Sequence, residues 1–282
     1  MTGQRGDKPD ELDVLVLREQ LVAPNGPYAA LDVVASTGST NADLVATAGR
    51  GGADRSVLIA QTQTAGRGRR DRRWVSPAGT GIYLSVLLRP SAVPPERLGT
   101  LGLVAGLALM HVAAEAGVTA SLKWPNDLMI GGAKCAGVLA ESVPDGAAQA
   151  AVVGIGLNVG PLPGDVPAGP GGLAATSLAA HGARTTDRDV LAAWWLRAFV
   201  ELESAWRLAE GDVERSGVLT GYREACGSIG QRVRAELPDG SARTGVAVDL
   251  DSRGQLLIKA DDGSVAAISA GDVVHLRNAD QD

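Results

Sequence analysis

Between Gly66 and Trp74 the chain carries five arginines against one aspartate, in the stretch Gln63-Thr64-Ala65-Gly66-Arg67-Gly68-Arg69-Arg70-Asp71-Arg72-Arg73-Trp74, although its net charge is −6. Guanidinium groups are permanently charged planar forks that match phosphate and carboxylate oxygens, and glycines let backbone N–H groups approach a ligand closely. The segment therefore reads as an anion cradle. A dinucleotide fingerprint would need a third glycine where Asp71 stands and a helix afterwards, whereas Val75-Ser76-Pro77 follows. A GxxxxGK[ST] phosphate loop has no match. A solvated basic loop is the alternative that charge alone leaves open.

A second cluster is Lys123-Trp124-Pro125-Asn126-Asp127, followed by Leu128-Met129-Ile130, Gly131-Gly132 and Ala133-Lys134-Cys135-Ala136-Gly137. Gly-Gly between two apolar runs predicts a tight hairpin. With 131 and 132 as the turn, Met129 faces Lys134 and Asp127 faces Ala136. Asp127 and Lys134 are then diagonal neighbours on one face, roughly 7–8 Å apart at Cα, and both side chains reach one ligand. A surface ion pair across the hairpin, contributing little, is the competing reading.

With the upstream Ser39-Thr40-Asn41 and the downstream Gly154-Ile155-Gly156-Leu157-Asn158, these blocks resemble the biotin–protein ligases in order and spacing, strongly from about Leu31 to Asn158 and more loosely in the C-terminal region. The resemblance implies an α/β (α+β) fold, a mixed-sheet catalytic domain like those of class II aminoacyl-tRNA synthetases and biotin ligases, followed by a small SH3-like β-barrel. It implies that Ser39, Thr40, Asn41 and Gln63 line a biotin pocket to which Arg67, Gly68, Arg69, Lys134 and Gly137 also contribute. Arg69, Arg70, Arg72, Trp74, Lys123, Asn126, Lys134 and Asn158 would meet ATP or the adenylate, and Lys134, Arg67 and Asp127 would be catalytic. No metal ligand is assigned; Mg²⁺ is expected near Asn126 or Asp127. The implied partners are biotin, ATP and the biotin carboxyl carrier protein or domain of a biotin-dependent carboxylase, with the enzyme a monomer or weak homodimer. Asp71 departs from the pattern, standing where this loop usually has glycine.

Such an enzyme must first bring together two anions, a biotin carboxylate and the α-phosphate of ATP. Fixed cations offset their repulsion, and a loop that orders over the resulting mixed anhydride keeps water out. In the second step a carrier lysine, with an unperturbed pKa of about 10.4, must lose its proton or be oriented, and Asp127 is the expected partner. Three other readings compete: a lipoyl or octanoyl ligase of related fold would show a different arginine loop, and a biotin-sensing repressor would need a DNA reader. A scaffold without enzymatic role would turn over no ATP.

The elements that must position these residues alternate along the chain. Residues 1–27 read as a polar tail with at most one short helix, too short for a three-helix DNA reader. The catalytic domain is expected over 28–226: an apolar run at Leu31–Ala35, a helix from Thr40 to Ala48, strands at Ser56–Gln61 and Gly81–Leu88, and an apolar helix near Leu98–Ala116. Strands then follow around Ala120–Trp124, Leu128–Ile130, Lys134–Glu141 and Ala151–Asn158. Gly160–Gly172, rich in glycine and proline, reads as a mobile surface loop. Asp187 caps a helix whose stripe Leu191, Trp194, Trp195, Ala198, Leu202 and Trp206 reads as core. From 227 to 278, five short strands (231–237, 243–250, 255–260, 264–268 and 273–277) alternate with turns such as Pro238-Asp239-Gly240, as in a small barrel.

Composition limits the alternatives. Hydrophobic residues make up 45% and charged residues 21%, which suits a globular core, and the negative net charge argues against nucleic acid as a partner. Leu98–Ala114, broken by glycines and His111, reads as a buried helix rather than a membrane span. Cys135 and Cys226, far apart and without CxxC spacing, fit a reducing, cytoplasmic setting, and no signal peptide is visible. His111, His181 and His275 form no ligand cluster, and Cys135 reads as a packing residue.

Overall fold

The computed structural model describes residues 12–75, 77–145, 148–164, 166–237, 240–269 and 272–275. Ser76, the turn residues Pro238 and Asp239, the end of the last expected strand, and the side chain of Asp71 lie outside that set. In chain order the elements are α1 (Val14–Leu21), β1 (Ala30–Val34), α2 (Thr40–Ala48), β2 (Ser56–Ala60), β3 (Gly81–Leu88), α3 (Leu101–Glu115), β4 (Ser121–Lys123), β5 (Asp127–Ile130), β6 (Ala133–Asp145) and β7 (Ala148–Asn158). These are followed by α4 (Arg188–Leu208), α5 (Val218–Ala225), β8 (Arg232–Glu236), β9 (Ala242–Leu250), β10 (Leu256–Lys259), β11 (Val265–Ile268) and β12 (Asp272–His275).

Local chemistry starts the helices. Asp13, Ser39 and Asp187 each stand in extended backbone, and their side chains accept from the first N–H groups of α1, α2 and α4. The short helix expected in the N-terminal region is α1, and it is packed rather than loose: Leu17 and Leu21 are buried, and Tyr28 just beyond it donates its hydroxyl to the Leu196 carbonyl at 2.6 Å.

Seven strands form one sheet in the order β1-β2-β3-β7-β6-β5-β4, with β1–β2 parallel and the other pairs antiparallel. All eight residues of β3 are buried because both faces are covered. Leu84, Val86 and Leu88 join the large core built on α3 and α4, while Leu87 on the opposite face meets Leu44 and Ala48 of α2. The apolar stretch Pro95–Glu115, long and apolar enough by composition to cross a membrane, is packed into this core through Leu101, Val104, Ala108 and Leu109. Trp195 and Trp206 of α4 are core as expected, whereas Trp194 is half-buried at its edge with Arg184 over its ring. Trp195 stacks on Phe199 at 4.6 Å, and the indole N–H of Trp206 donates to Thr100 Oγ1 at 2.9 Å.

The expected hairpin forms, with both turn glycines at positive φ: Gly131 at 57° and Gly132 at 79°. That is the geometry a two-residue turn demands. Its register differs by one position. Met129 faces Lys134, but a bulge follows and Asp127 faces Gly137 rather than Ala136. Cys135 is the extra residue, fully buried with its Sγ 3.4 Å from the Asn158 carbonyl. β5 is buried along its whole length and Cys135 and Ala136 are both apolar, so no apolar–polar alternation marks where the extra residue stands.

The second sheet runs β11-β10-β9-β8-β12, antiparallel throughout. Its last strand returns to pair with its first, and Val233, Ala247, Leu250, Ile258 and Val273 face inward. This barrel docks on the first sheet through Trp124, whose indole N–H donates to the Gly254 carbonyl at 3.0 Å and whose backbone N–H donates to Ser228 Oγ at 3.1 Å.

Candidate active site

One cavity of about 780 Å³ lies against the first sheet where α2 begins. Three rows cross the sheet beneath it, in which Tyr83, Ser85 and Leu87 of β3 pair with Gly156, Gly154 and Val152 of β7 and these with Gly137, Leu139 and Glu141 of β6, and of them Gly137, Leu139, Gly154 and Gly156 line the cavity. Glycine in the middle of two of these rows leaves the hollow. A Cβ on Gly156 would stand 2.3 Å from Trp74 Cε2, and one on Gly154 would stand 1.9 Å from Asn41 Oδ1. The row through Gly156 and Gly137 continues to Asp127 and then Lys123.

At the α2 end the lining is polar and neutral. Gln63 Oε1 accepts from the Thr40 backbone N–H at 2.9 Å and its hydroxyl at 3.2 Å. Ser85 Oγ stands 2.7 Å from Thr40 Oγ1 and 2.6 Å from Asn41 Oδ1, and the Asn41 amide donates to Glu141 Oε2 at 2.8 Å. Each buried polar group is thereby held in one orientation.

Towards Lys123 the lining becomes cationic. Lys134 Nζ lies 2.6 Å from Asp127 Oδ1, an ion pair whose angle is not that of a directed hydrogen bond, and 5.4 Å from the centre of the Trp74 ring. Burial, the largest influence, lowers the pKa of the Lys123 ammonium; Asp127 opposes the fall, while Lys134, Arg72 and Arg69 add to it. Burial likewise lowers Arg69 and Arg72, with Asp127 again opposing. Four cations thus surround one carboxylate, and the surplus positive charge suits an anionic ligand. Arg67, half exposed, lies 3.9 Å from Glu141.

The arginine loop is ordered by its own backbone. Gly68 N–H donates to the Arg72 carbonyl at 2.7 Å and Trp74 N–H to the Gly66 carbonyl at 2.8 Å, closing a small hairpin. Lys134 is gripped from its other side: its N–H donates to the Ala174 carbonyl at 2.8 Å, and Thr176 N–H donates to its carbonyl at 2.9 Å. Asn126 and Asn158 reach the cavity wall but spend their amide N–H groups on the Val138 and Thr176 carbonyls.

Of the residues singled out from sequence, Ser39, Thr40, Asn41, Gln63, Arg67, Gly68, Arg69, Arg72, Trp74, Lys123, Asn126, Asp127, Lys134, Gly137 and Asn158 line this cavity. Arg70 does not. Its guanidinium turns outward to the Glu236 and Leu237 carbonyls of the barrel. Ser85 and Glu141 escaped sequence reasoning, although a lone serine in a strand as apolar as Gly81–Leu88 signals a hydroxyl that needs a partner. The glycine-proline segment is also more than a surface loop, since Leu162, Pro163, Val166, Pro167 and Leu173 form a cavity wall, and Val273 of β12 contributes another. Burial pushes the Cys135 thiol up to about 12, in keeping with packing rather than nucleophilic chemistry.

A mixed sheet with a neutral polar pocket joined to a cationic one, and a barrel appended, defines a class of enzyme that holds an acid and a nucleotide side by side. The comparisons agree. Residues 45–158 match the Biotin/lipoate A/B protein ligase family, and residues 228–276 match the Biotin protein ligase C terminal domain. A biotin–[acetyl-CoA-carboxylase] ligase of Mycobacterium tuberculosis is 42% identical over 94% of this chain and 96% of its own length. The bifunctional ligase/repressor BirA of Bacillus subtilis is 32% identical over 85% of this chain and 71% of its own. A biotin protein ligase from Aquifex aeolicus, solved in complex with biotin and ATP, superposes with a TM-score of 0.70 at 26% identity, covering 89% of this chain and 100% of that one. The chain belongs to the biotin protein ligase family.

Proposed function

We propose that this protein joins biotin to ATP and then passes the biotinyl group to a lysine of a biotin carboxyl carrier protein, such as that of acetyl-CoA carboxylase. The observation that carries this reading is the continuity of the cavity, in which the neutral lining of Ser39, Thr40, Asn41 and Gln63, backed by Ser85, opens directly onto Lys134, Arg69, Arg72 and Lys123.

In the first step a biotin carboxylate oxygen attacks the α-phosphorus of ATP and the bond to pyrophosphate breaks. Lys134, held by Asp127 and by backbone on both sides, offsets charge on the carboxylate and phosphate as it shifts. Arg67 and Arg69 act from the loop, which also keeps water from the anhydride. In the second step the carrier amine attacks the acyl carbon, AMP leaves, and the amine gives up its proton. The sequence offers Asp127 as partner for that amine; its pairing with Lys134 supports a role in positioning Lys134 instead.

Among the described residues no group of three His, Cys, Asp or Glu could hold a metal, and the Asp127 carboxylate is engaged by Lys134. Mg²⁺ needs no such cage, since it commonly takes one or two carboxylates together with substrate phosphates, and our reading keeps it beside Asn126 or Asp127. Our reading is that the ion enters on the ATP phosphates, as Mg²⁺ commonly does. Two free, buried cysteines support a reducing, cytoplasmic setting.

The test is acid-dependent exchange of pyrophosphate into ATP. Biotin should support exchange; exchange with lipoate but not biotin would refute the reading.

A further inference from the structure

Arg70 stands apart from its neighbours in two ways. Its backbone is left-handed, at φ 55° and ψ 44°, a conformation that disfavours any residue with a Cβ. Its side chain leaves the loop and donates to the Glu236 carbonyl at 3.3 Å and the Leu237 carbonyl at 3.2 Å, where β8 ends. Arg69 and Arg72 on either side line the cavity. The barrel also braces the opposite wall, because Gly171 sits so close to Val274 that a Cβ there would be 2.5 Å from Cγ1.

We propose that Arg70 is a positioning residue, a latch that fastens the arginine loop to the C-terminal barrel and so holds Arg69 and Arg72 over the cavity. A strained tip residue is retained where the contacts it makes outweigh its cost, and here they are charge-assisted bonds from the two ends of one planar guanidinium to two successive carbonyls. A lysine keeps the charge but loses the fork, so it should serve only in part. The barrel then acts in retention of the activated acid, not in its chemistry.

This inference rests on the ligase reading for one of its two measurements. In the first, enzyme loaded with radiolabelled biotinyl-adenylate is followed as the adenylate escapes. Arg70→Ala should release it about tenfold faster, the loss expected of a charge-assisted hydrogen bond, with Arg70→Lys in between. KM for biotin and for ATP should both rise while kcat falls less. In the second, hydrogen exchange of the 66–73 amides should quicken in Arg70→Ala with no substrate present. Unchanged release and exchange would overturn the latch; so would an effect confined to KM for ATP, which would make Arg70 a nucleotide contact. A wild-type enzyme that forms no adenylate would count against the ligase reading alone, since the exchange measurement needs no turnover.

Discussion

Lys134 and Asp127 meet across the β5–β6 hairpin at 2.6 Å, although a bulge at Cys135 sets their strands one residue off regular pairing. The ammonium is thereby anchored at the centre of the cavity. Lys134→Gln should cost roughly 2–4 kcal/mol of barrier in adenylation, as loss of other charge-stabilising donors does. Pyrophosphate exchange at saturating biotin measures it.

Asp127→Asn separates two roles. If Asp127 positions Lys134, adenylation and transfer should fall together, by about tenfold or more for removal of one partner of a largely buried ion pair. Single-turnover transfer from preformed adenylate isolates the second step. A defect there with normal exchange would restore Asp127 as partner of the carrier amine.

The hollow depends on absent side chains. Gly156→Ala puts a Cβ where the Trp74 ring lies, 2.3 Å from Cε2, so the indole must lift. KM for biotin and ATP should rise, at a fold cost of about 1–3 kcal/mol typical of overpacking. Kinetics and thermal melting read the two effects separately.

Ser85 holds two pocket residues at once. Ser85→Ala leaves Thr40 Oγ1 and Asn41 Oδ1 without this neighbour in a buried place, a loss of about 1–3 kcal/mol. A raised KM for biotin with KM for ATP nearly unchanged is the expected result.

His275 makes barrel docking sensitive to acid. Its Nε2 lies 2.9 Å from Ser228 Oγ, and burial, reinforced by Lys123, lowers its pKa from 6.5. Protonation thus favours the undocked or unfolded chain: the His275 contribution is complete above about pH 6.5 and is lost as pH falls through the lower folded value. Tm should drop between about pH 7.5 and about pH 5.5, and His275→Gln should shrink the drop relative to wild type.

Much of this site was legible because its chemistry is local. The Gly131-Gly132 turn and the helix from Thr40 to Ala48 declare themselves within a few residues and form as expected, and the arginine-glycine loop lines the cavity. What stayed hidden depends on pairing between distant strands. Ser85 matters only because β3 sets it beside α2, and Glu141 only because β6 brings it to Asn41. Arg70 looked like its neighbours; a backbone twist at one residue sends it to a different partner. The glycine-proline segment reads as exposed by composition, yet its apolar side chains face the cavity.

The Trp124–Gly254 bond spans 130 positions of chain, and Val273 reaches the cavity wall later still. Contacts so distant form late, because the intervening chain must first be made and its closure entropy met. During synthesis the seven-stranded sheet is complete while the compartment beside it still lacks a side. A nascent chain at that stage lacks the Val273 side of the cavity, which β12 adds last among the described strands.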